Sequence, residues 1–305
     1  MFFFNRVLIR RGAVMPRRPR LLAIALAVMG LAACDRSAPV DEPPPTEPTA
    51  AVSQLVGDLR RNDLAAYARH ALPSPLRARL ETAWTEQRTI WPLTELPLDD
   101  RLPGFITVLA APDAEKTLLA TYNRQFAGAQ RELRSAASTL GLFAAQYVRS
   151  ADEYSEPERE HYVQLIAALS HWGQQAPLDD PKRAKLAIPQ LVAAARLTGL
   201  AGPGTFHRSG MERSLRRLGP FFARFKQVAL GYGLDFDAAL DGARVELLEQ
   251  VGDRARVRLR YTLAGQPVDA VILLERRAGR WYLSDLLRHA EAEAAADGGR
   301  TRAIP

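Results

Sequence analysis

Apolar residues recur every three or four positions from about residue 51 to 233, and every second position beyond about 244. The first spacing lays a stripe along a helix and the second lays a face on a strand. Ser74-Pro75 reads as an N-cap followed by a first-turn proline, opening a helix to about Arg88. Pro112-Asp113 opens a long helical stretch in which Leu119, Tyr122, Phe126, Leu133, Leu140, Phe143 and Tyr147 keep steps of three, four and seven. Gly128 and Gly141 are expected to break or bend it. Ser155 with Glu158 spells a capping box, and the helix after it carries Tyr162, Leu165, Ile166, Leu169 and Trp172 on one face. Asp180-Pro181 starts another helix, which Pro189 is expected to kink or restart and Gly199 to end. Two shorter helices, Met211–Leu218 and Pro220–Gly231, complete the helical part.

Four segments then alternate as strands: Val245–Val251, Ala255–Leu263, Val268–Arg276 and Trp281–Leu286. Turn signals stand at Gly252-Asp253, Gly265-Gln266-Pro267 and Ala278-Gly279. Pairing Leu247 with Leu259 and Leu259 with Ile272 collects Val245, Val257, Tyr261, Ala270 and Leu274 on one face. The other face then pairs Glu246 with Arg260, Gln250 with Arg256, and Arg256 with Glu275. The expected fold class is α+β, mainly α. A helical domain over 51–233 precedes an antiparallel meander with a terminal helix over 234–296, packed on the helical part, and a disordered tail over 297–305.

The closing hairpin, Val271–Leu274, Arg277-Ala278-Gly279, Arg280-Trp281-Tyr282 and Asp285, is similar to the last strands of nuclear-transport-factor-like α+β domains. The similarity spans about 60 residues, and the helical part ahead of it exceeds that fold. Proteins of that family include enzymes, binders and structural modules, so the resemblance assigns no activity. It leaves open a cone-shaped pocket at the α+β end for a small molecule or acid–base chemistry, with Tyr261, Asp285 and His289 as its candidate residues.

The first 34 residues change the picture of the whole chain. Arg6, Arg10, Arg11, Arg17, Arg18 and Arg20 precede an uncharged run from Leu21 to Ala33, and no acid appears before Asp35. A basic segment, a short apolar run and small residues at the cut make a signal peptide over 1–33. The run is shorter than the roughly 20 residues of a spanning helix. Met15 is an alternative start, since Met15 to Arg20 is a compact basic segment by itself. Leu31-Ala32-Ala33-Cys34 resembles the lipobox of bacterial lipoproteins. That resemblance implies cleavage before Cys34, acylation of its thiol, and a membrane reached through the acyl chains. Asp35 after the cysteine resembles the inner-membrane retention signal of enteric bacteria. Residues 34–50, with Pro43–Pro45 consecutive, read as a tether of about 40 Å at about 3.1 Å per residue.

Composition follows from this address. The chain has 41 basic and 34 acidic residues, a formal charge of +7. Six of the bases and none of the acids lie before Cys34, so the mature chain is close to neutral. The high isoelectric point is a targeting effect, and no nucleic-acid partner is expected. Cys34 is the one cysteine, which excludes an intramolecular disulfide and a cysteine-based zinc site.

Chemistry is sparse. No GxSxG, SxxK, HExxH or GxxxxGK[ST] string occurs, and no catalytic residue, cofactor or metal is expected. Glu158-Arg159-Glu160-His161 offers one Glu-x-x-His, where a di-iron bundle needs two. Asp235, Asp237 and Glu246 fall at calcium-loop positions, but Ala239 and Leu240 stand where a ligand and a glycine are required. Gly199, Gly202, Gly204 and Gly210 suggest a connector or an anion cradle. Arg208, Arg213, Arg216, Arg217, Arg224 and Lys226 face one acid, Glu212, between Thr205 and Lys226. They make either a balanced surface or a contact for anionic lipid or cell-wall polymer, led by Arg208, Arg213, Arg216 and Arg217. Arg254, Arg256, Arg258 and Arg260 share one strand face, which Leu248, Val271 and Leu273 suggest is partly covered by helix. Trp84, Trp91 and Pro92 border an irregular segment that either docks a partner or packs onto the core. The expected role is a non-enzymatic, lipid-anchored envelope protein that binds an envelope protein, an anionic lipid or a cell-wall polymer.

Overall fold

Several of the helices begin where a side chain or a proline deals with the free N–H groups of the first turn. The computed structural model describes residues 45–95 and 101–296. Helix α1 (Pro48–Arg60) carries proline in its first turn, and α2 (Leu64–Ala71) is capped by Asp63, which accepts from Ala66 N at 2.8 Å. Helix α3 (Ser74–Thr85) again opens on proline, with Pro73 at the N-cap and Ser74 already helical. After a 3-10 turn at Leu93–Glu95 come α4 (Leu102–Ala110), α5 (Ala114–Gln125) and α6 (Gln130–Ser150). Both halves of the Ser155–Glu158 capping box are present on α7 (Glu156–Gln175). Asp180 caps α8 (Pro181–Thr198), which ends on Gly199 in the left-handed conformation. Helices α9 (Thr205–Ser209), α10 (Met211–Gly231) and α11 (Phe236–Asp241) lead into the sheet. The signal peptide, Met15, Cys34, Asp35, the tether up to residue 44 and the tail over 297–305 lie outside the described residues.

Several expectations are corrected. The last residues of the expected tether, from Pro48, belong to α1. Gly141 does not break α6: a Cβ there would lie 2.4 Å from Ser170 Oγ, so the glycine lets α7 approach closely. Ser170 Oγ uses that proximity to bond Ala137 O across the two helices, at 3.0 Å. Pro189 sits inside a continuous α8. Met211–Gly231 is likewise one helix with Pro220 inside it, because Gly219 lacks the Cβ that would crowd the proline ring.

Strands β1 (Arg244–Val251), β2 (Arg254–Leu263), β3 (Gln266–Arg277) and β4 (Arg280–Leu283) form an antiparallel sheet in that order. The fold class is α+β, mainly α. The strand faces are those expected, but the register differs by two residues: Val257 faces Ile272 and Leu259 faces Ala270. The cause is turn chemistry. Ala264-Gly265 and Ala278-Gly279 are two-residue turns with both residues at positive φ, so Leu263 stands opposite Gln266 and Arg277 opposite Arg280. A bulge between Leu247 and Glu249 offsets β1 further. Strand β4 stops at Leu283, where α12 (Ser284–Ala295) begins. The free edge of β3 is covered by α7, whose Gln164 amide bonds both Asp269 N and Asp269 O, at 2.8 and 2.9 Å.

Three apolar clusters cross the boundary expected near residue 233. The largest joins Leu80, Trp84 and Trp91 to Leu215 of α10 and to Tyr282, Leu287 and Ala290. A second packs Ala51 and Val52 of α1 on Val257, Leu274 and Trp281. The third sets Ala168 and Ala229 against Leu263 and Val268. The described residues therefore form one compact unit. Trp84 and Trp91 are fully buried, so they pack the segment down.

Candidate functional site

Of the three expected pocket residues, the structure places two in a closed ionic network. The capping box fixes Glu158 at the start of α7, and α12 carries Asp285, Arg288 and His289 towards it. His289 Nδ1 meets Glu95 Oε2 at 2.9 Å, and its Nε2 lies 3.4 Å from Glu158 Oε1. Arg288 donates to Glu158 at 2.7 Å and to Asp285 at 3.1 Å, and Ser155 Oγ bonds Asp285 at 3.1 Å. Trp91 Nε1 donates to the second oxygen of Glu95 at 2.8 Å. Burial, reinforced by Asp285, raises the Glu158 pKa above its ordinary value against the opposing effect of His289, the Ser155 backbone bond and Arg288. Burial also opposes charge on His289, but the hydrogen bond and negative charge of Glu95, with Glu158, hold its pKa above the ordinary value. Every polar group named here has a partner, so the network locks α12 onto α7 and the turn at Leu93–Glu95.

Tyr261 is engaged elsewhere. Its hydroxyl bonds His161 Nε2 at 2.8 Å, and burial lowers the His161 pKa to about 4. A run of ring contacts, His161 with Tyr162, Tyr162 with Tyr154 and Tyr154 with His289, connects it to the ionic network. The structure thus links Tyr261 to His289 through three intervening rings. His161 meets Tyr261 and not a second Glu-x-x-His. Asp235 serves as the N-cap of α11, accepting from Ala238 N at 2.8 Å. Among the described residues no group of three or more His, Cys, Asp or Glu side chains is placed to hold a metal ion. The arginine ladder of β2 is largely exposed: Arg258 pairs with Asp269 at 3.2 Å, Arg260 with Glu246 at 3.1 Å and Arg256 with Glu249 at 3.8 Å. Arg254 stands opposite Glu275 in the register, where Arg256 was expected.

The basic run has a different fate, and the sequence revealed only half of it. Arg208 folds back onto Pro203 O and Thr205 Oγ1, Arg216 pairs with Glu212 at 2.5 Å, and Lys226 is buried against Asp237. Arg213, Arg217 and Arg224 share the exposed face of α10. Helix α8 lies antiparallel alongside. Arg183 bonds Gly231 O, Arg224 bonds Gln190 at 3.2 Å, and Arg217 comes within 3.7 Å of the Cβ position at Gly199. The exposed face of α8 adds Lys182 and Lys185 with two bare leucines, Leu186 at 68% and Leu197 at 85% exposure. Residues 181–231 hold ten basic residues and one acid. Lys182, Lys185, Arg213, Arg217 and Arg224 have no carboxylate partner among the described residues. A face about 27 Å long, the length of α8, is therefore positive with apolar side chains standing out of it.

Among the described residues, no helix is long and apolar enough to cross a membrane. Comparisons with family models, with curated proteins and with solved structures find no match to this chain.

Proposed function

We propose that this chain is a non-enzymatic, lipid-anchored envelope protein whose α8–α10 face lies on anionic lipid headgroups. The observation that carries the reading is the charge segregation: ten bases against one acid over 181–231, in a mature chain that is nearly neutral. Each lysine or arginine near an anionic surface contributes about 1 kcal/mol. Lys182, Lys185, Arg213, Arg217 and Arg224 together supply about 5 kcal/mol on that scale, before screening. Leu186 and Leu197 add apolar surface that gains by entering the headgroup boundary. The lipobox at Leu31–Cys34 supports the same address, since acyl chains and a basic face are two membrane signals acting together.

The test uses the mature chain carrying Cys34→Ser, so that no acyl chain contributes. Sedimentation with phosphatidylglycerol vesicles is expected, with little on phosphatidylcholine vesicles and a steep loss as salt is raised. Arg213→Glu, Arg217→Glu and Arg224→Glu combined should weaken the binding at least a hundredfold, about 3 kcal/mol or more, while leaving the circular dichroism unchanged. Equal binding to both vesicle types, or none to the anionic ones, overturns the reading.

A further inference from the structure

Helices α2, α3 and α10 leave a half-open cavity of about 80 Å³ where they meet. Its floor is apolar and buried, made by Ala65 and Ala68 of α2 and Leu215 of α10. Its walls carry two bases, Arg69 and Arg77, and two acids, Glu81 and Glu212. Glu212 is engaged: it pairs with Arg216 at 2.5 Å and reaches Arg69 at 3.7 Å. Arg77 has no hydrogen-bond or ion-pair partner among the described residues. Glu81 uses one oxygen, Oε1, to accept from Met211 N at 3.1 Å, and so caps α10 where Gly210 has no side chain to do it. A Cβ at Gly210 would lie 3.1 Å from that oxygen, so the glycine leaves the carboxylate its room. The second oxygen of Glu81 has no partner among the described residues. Arg77 and Glu81 stand one turn apart on α3 without pairing, and arginine ahead of glutamate is the weaker order for such a pair.

We propose that this cavity binds a small zwitterion, the ammonium and carboxylate of an α-amino acid, between Glu81 and Arg77. A guanidinium offers a carboxylate two parallel N–H donors, and the free oxygen of Glu81 accepts from an ammonium. The balance of the walls selects a dipolar ligand. A simple anion would gain at Arg77 but meet Glu81 and Glu212, and a simple cation would meet Arg69 and Arg77. A zwitterion gains at both poles and brings no net charge into the site. Size narrows the class. An engineered cavity of about 150 Å³ admits benzene, so one of about 80 Å³ takes a smaller group. The glycine- or alanine-sized end of an amino acid meets that limit, with any longer side chain left at the open mouth. A ligand of about six non-hydrogen atoms binds no tighter than about micromolar, and partly exposed charges weaken it further. None of these wall residues belongs to the unpaired bases of the α8–α10 face, so the site stands apart from the lipid reading.

The test is a titration of the mature Cys34→Ser chain with L-alanine at neutral pH, followed through backbone amide shifts by NMR. Saturable shifts in α2, α3 and the start of α10 are expected, with a dissociation constant of about 0.1–1 mM. Propionate and ethylamine supply one pole each and should bind at least about tenfold more weakly. Arg77→Gln and Glu81→Gln should each weaken L-alanine by about tenfold or more. Glu81→Gln keeps an amide oxygen for Met211 N, so the cap on α10 and the melting temperature are retained while the charge is lost. Absence of saturation by L-alanine overturns the proposal, as does L-alanine binding that survives both substitutions unchanged. Propionate that binds as tightly as L-alanine, and indifferently to Glu81→Gln, would mark a plain anion site and overturn it too.

Discussion

Replacing Gly219 by alanine should destabilise the protein, whereas the same change at Gly231, at the end of the same helix, should not. Helix propensity by itself favours alanine by about 1 kcal/mol at an interior position. At Gly231 nothing lies within 4 Å of the added methyl group, so any propensity gain is kept. At Gly219 the methyl carbon would sit 2.5 Å from the carbonyl oxygen of Asn62. Carbon–oxygen contacts settle at about 3.3 Å or more, so one side must move by roughly 0.8 Å. Asn62 is poorly placed to yield. It lies at a φ of 61°, between bonds from its own N to Leu59 O at 3.2 Å and from Asp63 N to Asp58 O at 2.9 Å. Asp58 beneath that turn is fully buried and bonds Arg61 and His70, each at 2.7 Å. Overpacking of this kind costs about 1–3 kcal/mol, and a Cβ ahead of Pro220 adds the restriction that proline places on its predecessor. The net loss is about 1–2 kcal/mol after the propensity gain, which lowers the melting temperature by about 2–8 °C in a protein of this size. Thermal melts of the Cys34→Ser chain with each substitution, checked by urea unfolding, measure the difference. A Gly219→Ala protein that melts at or above the parent would refute the packing argument.

The ionic network under α12 predicts a pH dependence with a definite sign. Glu158 and His289 both have pKa values above ordinary, so both bind protons more tightly folded than unfolded. Their contribution is complete below the ordinary carboxylate value of about 4.3 and fades as pH rises through the raised values, beyond about 6.5 for the histidine. His161, whose pKa burial lowers to about 4, contributes with the opposite sign below about 6.5, so the test lies above that value. Urea stability should fall from pH 7 to pH 8, and Glu158→Gln should flatten the slope; a slope of opposite sign in that window, or one unchanged in the variant, contradicts the assignment. Lys226→Met removes the bonds that a buried ammonium makes to Leu59 O and Arg60 O, at 3.2 and 3.3 Å, and to Asp237. A loss of about 1–3 kcal/mol is expected, with faster hydrogen exchange at the end of α1, since Arg60 still holds Asp237 at 3.4 Å and Asp241 at 2.7 Å. Unchanged exchange there would mean that Lys226 does not pin that helix end.

What could be read from the sequence was local, and what could not was tertiary. The caps at Ser155 and Asp180 and the stop at Gly199 follow from side chains within three residues of the backbone groups they serve. The register failed at a turn, because Ala264 takes a positive φ that composition assigns to glycine or asparagine. Gly141 and Gly219 look like breaks until the neighbouring Ser170 and Asn62 are placed against them. Two surfaces show the same divide. Arg213 and Arg217 were visible as a run, but Lys182 and Lys185 are about 30 residues earlier and join them only through the α8–α10 packing. On α6, periodicity marked Leu140, Phe143 and Tyr147 as apolar positions of a core. The face that packs on α7 is built from smaller residues, Ala137, Gly141 and Ala145, whose signal is weaker because they carry less hydrophobic surface.

If the proposed function holds, net charge is a poor guide to how this chain binds an anionic surface. From Cys34 onward the sequence holds 35 basic and 34 acidic residues, yet these are unevenly placed. Screening at physiological salt reaches about 8 Å, while the α8–α10 face is about 27 Å long. Acids beyond its rim are thus too distant to cancel the potential that a headgroup feels at its centre. Three nearby carboxylates, Asp180, Glu212 and Asp237, are each paired with one base of the segment. On the proposed reading the helix pair should therefore act on a charged surface as a basic protein would. A substitution that left the net charge at its present value, Arg217→Glu with Glu249→Arg on the exposed strand β1, should still weaken binding to anionic vesicles. If binding followed net charge alone, that exchange would leave it unchanged.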